Sequence, residues 1–491
     1  MPLRKVRLMS PEIILGTFVI YTVTLFVVAW FTSRHADSQS FFIGNHKSPW
    51  FVVAYGMIGA SLSGVTFISV PGWVGDTGFS YMVIVIGYVF GYLIITTVLL
   101  PLYYRLNLTS IYTYLDQRFG NMAYKTGALF FLLSRIVGAS FRMFLVVSVL
   151  QAFVMDYFGV PFWVTVLSFL VIIQLYTMKG GIKTIIWTDT LQTTFMLLAV
   201  VVSIGMIMQQ MGTTFTEMIA TVCESDLSNM IVTDVDSKEN VIKLFFSGMF
   251  ITIVMTGLDQ DMMQKNLSCR NIGDAQKNMV SLSLILVPVN LLFLFLGAVL
   301  YLYATQKGIV LPDSSDHLFP MISFEHLGVT AGVVFIIGLV SAAYSSADSA
   351  LTALTTSFSI DILGLDKKYA HDENLLKKKR YWVHLLMSAI IIFAIISFRI
   401  INNQAVIAQL FTFAGFTYGP LLGLYAFGMF TKFKVYDRFI PIVAIAAPVI
   451  SYFFSHYSEQ LFNGYQVGFE LLIINGALTF LGLFMIRKLN P

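Results

Sequence analysis

Residues 341–349 read Ser341-Ala342-Ala343-Tyr344-Ser345-Ser346-Ala347-Asp348-Ser349, at the end of a long apolar run. On a helix, Ala342, Ser345, Ser346 and Ser349 fall at i, i+3, i+4 and i+7, so they share one face with Asp348 beside it. Hydroxyls and a carboxylate then converge on one small volume, and an oxygen-only donor set suits a hard cation such as sodium. A serine inside a membrane can also simply bond its own turn or a neighbouring helix. The aspartate shifts the balance toward function, because a carboxylate at bilayer depth costs at least ~2.5 kcal/mol.

Outward from this stretch the chain is apolar from end to end. Of its 491 residues 57% are hydrophobic and only 11% are charged, where soluble proteins carry roughly 25% charged residues; the mean hydropathy is +0.79. Runs of about 20 apolar residues separated by short polar breaks are the helical solution to backbone hydrogen bonding in lipid. The expectation is an all-α membrane protein of about thirteen transmembrane helices. They fall at 12–32, 48–77, 80–106, 123–156, 161–178, 183–211, 241–258, 275–305, 328–364, 380–398, 404–430, 436–457 and 465–487, all within one integral membrane domain spanning 1–491.

Lys and Arg are distributed unevenly between the loops. With the N-terminus outside and the C-terminus inside, the inner loops collect Arg105, Arg118, Lys265, Arg270 and the cluster from Lys367 to Arg380, while the outer loop 212–240 is acidic. This obeys the positive-inside rule, with the basic tail before Ser10 as the discordant element, and it implies a plasma membrane or bacterial inner membrane location. The first apolar run ends in Trp30, Phe31 and Arg34 without a small-residue cleavage site, so it reads as an anchoring helix rather than a signal peptide. Cys223 and Cys269 lie on opposite sides in this topology and are not expected to pair. The basic run Lys377-Lys378-Lys379-Arg380 reads as a solvated loop facing anionic lipid, with no platform for nucleic acid. No phosphate loop, metalloprotease histidine pair or nucleophile elbow is present, which argues against an enzyme.

Two spans look broken. Between Gly56 and Gly75 the second carries glycines, Pro71 and the hydroxyls of Ser61, Ser63, Thr66 and Ser69. Such backbone is tolerated at membrane depth where it lines a cavity, and its freed carbonyls can ligate a cation; close helix packing at the glycines is the other reading. The span near 250 ends in Thr256-Gly257-Leu258-Asp259-Gln260-Asp261. Two inverted repeats at 48–211 and 241–430 would put these breaks in corresponding positions. Arg135 and Arg142 stand seven apart within an apolar run, and each needs an anion: Asp259, Asp348 or a carboxylate on the solute. A snorkelling or structurally paired arginine is the alternative. Asp189 suits a second cation position or a gate at the inner exit.

At these residues the chain resembles the sodium/solute symporter family of sodium-coupled sugar, proline and sialic acid transporters. The resemblance rests on Gly59-Ala60-Ser61-Leu62-Ser63 with Thr66, Gly180-Gly181-Ile182-Lys183 through Trp187-Thr188-Asp189 and Gln192, Asp259-Gln260 with Gln264-Lys265, Ser345-Ser346 with Asp348-Ser349, and Tyr418-Gly419-Pro420-Leu421-Leu422-Gly423. It implies a LeuT-like core of five-plus-five inverted repeats, with one helix before and two after, working by alternating access. It also implies a main sodium site built from the carbonyls of Gly59, Leu62 and Ala342 and the hydroxyls of Ser345 and Ser346. A second sodium, held by some members, maps onto Asp189, Ser346, Asp348 and Ser349, although some such relatives carry Ser where this chain has Asp348. The solute would touch Ser61, Ser63, Thr66, Tyr88 and Asp259, with Arg135 and Arg142 as further candidates.

The expected function is therefore sodium-coupled import of a small organic solute bearing a carboxylate or several hydroxyls, such as sialic acid or a sugar. Na+ is the coupling ion, the membrane lipid the surroundings, and no obligatory protein partner is evident. Each sodium entering down the potential contributes about 2.3 kcal/mol per 100 mV, and a tenfold gradient adds about 1.4 kcal/mol. A membrane sensor or a channel built on the same core is the alternative.

Overall fold

The structure, a computed structural model, describes residues 10–32, 48–401 and 406–488, without the side chains of residues 176, 178–183, 400, 401 and 406. The basic tail to residue 9, Arg34, and the side chains of Ile182 and Lys183 named above thus lie outside the described residues. Helix α1 (Pro11–Thr32) is followed by α2 (Trp50–Thr77), α3 (Tyr81–Arg105) and α4 (Asn121–Phe153). Helical hydrogen bonding then continues from Phe162 to Met211. A straight helix of that length would be roughly 75 Å long, more than twice the thickness of a hydrocarbon core. Instead Phe169 packs on the Tyr344 ring at 5.0 Å while Asp189 bonds the adjacent Ser345. Residues 20 apart on a straight helix would be about 30 Å apart, so the segment doubles back as two arms, α5 (Phe162–Leu175) and α6 (Thr184–Met211).

After the surface helix α7 (Phe215–Glu224) comes α8 (Val241–Gly257), bent by 63° into the short α9 (Gln260–Leu267). The remaining long helices are α10 (Ile272–Lys307), α11 (Val329–Ile362), α12 (Glu373–Ile401), α13 (Val406–Phe430), α14 (Ile440–Leu461) and α15 (Leu471–Met485). Among the described residues ten helices are long and apolar enough to cross a bilayer, or eleven if the bent α8–α9 pair is one span. Counting the apolar helices α5 and α15 as further spans would give the thirteen expected from sequence.

The residues that face inward decide which helices are central. The apolar window of α2 is 83% buried and that of α14 only 22%, so α2 lies in the middle and α14 on the periphery. Helices α6, α10 and α11 pack against α2. Around the outside, Ile20, Phe393 and Ile442 are exposed, an apolar skin that lipid covers. Small residues allow the closest approaches. A Cβ on Gly248 of α8 would fall 2.8 Å from the carbonyl carbon of Ile84 on α3, and one on Gly87 would fall 2.9 Å from the amide of Met249.

Because backbone, not a flexible side chain, occupies the space at Gly248, Gly248→Val is expected to lower unfolding stability by about 1–3 kcal/mol. Gly205→Ala, where nothing lies within 4 Å, should change it by less than about 0.5 kcal/mol. Thermal melts of the two purified variants in the same detergent check the contrast.

Candidate functional site: a lined cavity beside an oxygen cluster

Helix α2 breaks at Ser63, whose φ of 55° and ψ of 174° are non-helical. Positive φ is costly for a residue with a side chain and persists where the surroundings enforce it. The expected unwinding of the second span is present, one residue after Leu62. The second break follows a wide turn over Ile253–Gly257. Its freed carbonyls are not left open: Tyr103 donates to Gly257 O at 2.8 Å and Tyr112 to Leu258 O at 2.9 Å. Asp259 then caps α9, accepting from the amides of Asp261 at 2.9 Å and Met262 at 3.4 Å.

The oxygen cluster forms where α2, α6 and α11 meet. The amide of Gly59 donates to Thr193 Oγ1 at 3.0 Å, and a Cβ on Gly59 would lie 3.4 Å from Ser345 Oγ. Gly59 is thus seated directly against the serine helix. Ser345 donates to Asp189 Oδ1 at 2.6 Å, which leaves its oxygen lone pairs available. Ser346 donates to the carbonyls of Ala342 and Ala343 in its own turn, each at 3.1 Å. Asp189, Asp348 and Ser349 are completely buried. A feature absent from the sequence reading completes the cluster: Lys265, counted above among the inner loops, is 1% exposed and places Nζ 2.7 Å from Asp189 Oδ2. Sequence signals for it exist in retrospect, since Gln260, Asp261, Gln264, Lys265 and Asn266 form a polar run that α9 buries entirely.

Alongside lies a cavity lined by Ser61, Ser63, Thr66, Tyr88, Arg135 and Arg142, together with Leu62. Six of the seven residues expected at the solute are therefore brought together. The seventh, Asp259, does not line the cavity. It is fully buried, accepts from Tyr418 Oη at 2.5 Å and lies 3.8 Å from Arg135. Arg135 also pairs with Asp261, so that arginine is held by two carboxylates of the second break. Arg142 differs: it is 8% exposed, faces the cavity and makes no ion pair among the described residues. Other lining residues escaped the sequence reading, among them Tyr92, Thr252, Asn290 and Phe411. Asn290, in an apolar run beside Pro288, is the one whose polarity at membrane depth gave a signal.

Broken helices packed around a cavity, with a buried cluster of carboxylates and hydroxyls beside it, are the architecture of a secondary solute carrier. The pattern of the Sodium:solute symporter family matches residues 41–433, and the chain belongs to that family. It is 23% identical to the sodium/sialic acid symporter SiaT of Proteus mirabilis, covering 93% of this chain and 92% of that protein. It is equally 23% identical to the sodium/sialic acid symporter NanT of Aliivibrio fischeri, over 92% and 90% of the two chains. In structure it is similar to a substrate-bound, outward-open Na+-coupled sialic acid symporter, with a TM-score of 0.82 at 19% identity over 97% of this chain and 99% of that one. Similarity to Mhp1, a nucleobase-cation-symport-1 family transporter, is weaker, with a TM-score of 0.57 at 13% identity over 91% and 93%. The protein is a multi-pass membrane transporter, not an enzyme, and sodium is its coupling ion.

The unequal pairing of the two arginines makes a stability prediction. Arg135→Met strands two buried carboxylates and should cost about 3–5 kcal/mol. Arg142→Met removes no ion pair and should cost less than about 1.5 kcal/mol, read from denaturation midpoints of the purified variants.

Proposed function

We propose that this protein imports a small organic anion together with sodium, the solute's carboxylate resting on Arg142. The observation that carries this reading is a buried guanidinium that lines the cavity and lacks an acid among the described residues. A guanidinium offers five donors in a fork that matches a carboxylate. The hydroxyls of Ser61, Ser63, Thr66 and Tyr88 around it suit a solute that also carries hydroxyls, and the sialic acid symporters named above are transporters of such a molecule. Arg135 is committed to Asp259 and Asp261, and we assign it to holding the second break closed rather than to the solute.

In the same reading the main sodium site consists of the carbonyls of Gly59, Leu62 and Ala342 with the hydroxyls of Ser345 and Ser346. The contact of Gly59 with Ser345 and the break after Leu62 support it. Asp189, by accepting the Ser345 proton, turns the serine oxygen outward as a ligand. A sodium there ties α2, which carries Ser61, Ser63 and Thr66, to α11, so its occupancy favours the conformation in which the solute site is complete. Solute and ion then strengthen each other's binding equally. The halves 48–211 and 241–430 act as the two inverted repeats, with the N-terminus outside and the C-terminus inside, the surrounding lipid as solvent, and neither nucleic acid nor an obligatory protein partner involved.

Thermal stabilisation of the purified protein by a panel of organic acids and sugars, in sodium and in potassium, tests both parts. Arg142→Gln should weaken binding of the stabilising acid by roughly 10- to 100-fold, the worth of about 1.5–3 kcal/mol for a hydrogen bond to a charged group, while sodium alone still stabilises the variant. Equal stabilisation by neutral sugars in both proteins would sink the carboxylate assignment. The double change Ser345→Ala with Ser346→Ala should abolish the advantage of sodium over potassium; its survival would show that these serines only pack.

A further inference from the structure

We propose that Asn290 reads a second feature of the solute: besides its carboxylate, the transported acid carries a hydrogen-bond donor, an O–H or N–H, that Asn290 Oδ1 accepts. Asn290 lies on α10, is 1% exposed and lines the cavity. Its Nδ2 donates to Leu286 O at 2.7 Å. That bond fixes the amide, since turning it over would set Oδ1 against a carbonyl oxygen. Oδ1 is thereby left buried without a hydrogen-bond partner among the described residues. An acceptor in that state is costly, and a donor that arrives with the solute recovers the loss.

The rest of the lining sets this atom apart. Every other polar side chain around the cavity is a hydroxyl or a guanidinium. A hydroxyl rotates to give or to take a hydrogen bond, and a guanidinium only gives. Among the described lining side chains, Asn290 Oδ1 is therefore the one oxygen that can only accept. The two selective groups also reach the cavity from different helices: Arg142 from α4, which packs against α11, α12 and α13, and Asn290 from α10, which packs against α2, α3 and α6. A neutral sugar would satisfy Asn290 and leave Arg142 unpaired, and a plain alkyl acid would do the reverse. A hydroxy acid or an acylamino acid satisfies both.

The assignment rests on the carboxylate reading of Arg142 given above, and matched pairs of acids separate the two. The cavity measures ≈ 80 Å³, room for roughly five to eight waters at ~10–15 Å³ each, so short acids are the probes. They are γ-hydroxybutyrate against valerate, β-hydroxybutyrate against isovalerate, and N-acetylglycine against levulinate. Within each pair the donor gives way to a methyl or methylene group of similar size. Thermal stabilisation of the purified full-length protein in sodium, titrated with each acid, gives the concentrations at half effect. In wild type the donor-bearing member of at least one pair should act at roughly 10- to 100-fold lower concentration than its partner. Asn290→Leu should erase that preference by weakening the donor-bearing acid alone, whereas Arg142→Gln should weaken both members. Should Asn290→Leu not fold, Asn290→Ala and the wild-type preference carry the same test. No preference within any pair in wild type, a preference that survives the loss of Asn290, or equal weakening of both members in Asn290→Leu, as a merely structural asparagine would give, would overturn the assignment. If the methyl esters show the preference as strongly as the acids and lose it in Asn290→Leu, Asn290 keeps its role and the carboxylate reading of Arg142 falls.

Discussion

Asp189 accepts a hydrogen bond from Ser345 on one oxygen and pairs with the Lys265 ammonium on the other, and three separate segments depend on that arrangement. It ties α6 to the serine helix α11 and ties both to α9, the short helix beyond the second break. A carboxylate alone at this depth would be expensive, and an ammonium alone equally so. Together they neutralise each other while leaving the serine oxygen free to face Gly59 on α2. The geometry of the proposed main sodium site is in this sense set by a residue that does not belong to it.

The same constraint organises the second cluster of charge. Arg135 on α4 is answered by Asp259 and Asp261 at the start of α9, and Tyr418 on α13 adds a hydrogen bond to Asp259. The bend after α8 is thereby fixed from two sides, while Tyr103 and Tyr112 take the carbonyls it releases. Helix α9 thus has its N-terminus bound to Arg135 and its Lys265 bound to Asp189 in the oxygen cluster. Lys265 lies six positions beyond Asp259, roughly 9 Å along the helix, so a movement of either end is felt at the other. Coupling between the proposed ion and solute sites would therefore have a short physical route through one rigid element.

Much of this was legible in the sequence because membrane burial makes polarity informative. Ser345, Asp348, Asp189, Arg135 and Arg142 each stand out against apolar surroundings, and six of the seven expected solute residues do line one cavity. The break at Ser63 was announced by glycines clustered with hydroxyls. What the sequence concealed were the partnerships. Lys265 looked like a loop cation because it follows a polar run, and only tertiary packing shows that α9 is buried. Asp259 was named both as a partner for a buried arginine and, through the family resemblance, as a solute contact; its position makes it a cap and an ion-pair partner of Arg135. The segment from 161 to 211 poses the opposite problem. Its local hydrogen bonding continues across the pair Gly180-Gly181, and the reversal that the apolar pattern suggests is recovered only from contacts on either side.

Arg142 carries a different kind of information from these paired charges. An arginine that is met by an acid in the same chain contributes to one conformation, and its energy is spent when the protein folds. A guanidinium that opens on the cavity keeps its binding capacity for something that arrives and leaves, which is what a transport site requires. If every charge in the cavity were satisfied internally, an anionic solute would have to displace an existing partner before it could bind. In the proposed reading, the division of labour between two arginines seven residues apart on one helix gives a rigid closure at Arg135 and an open anion seat at Arg142 at the same time.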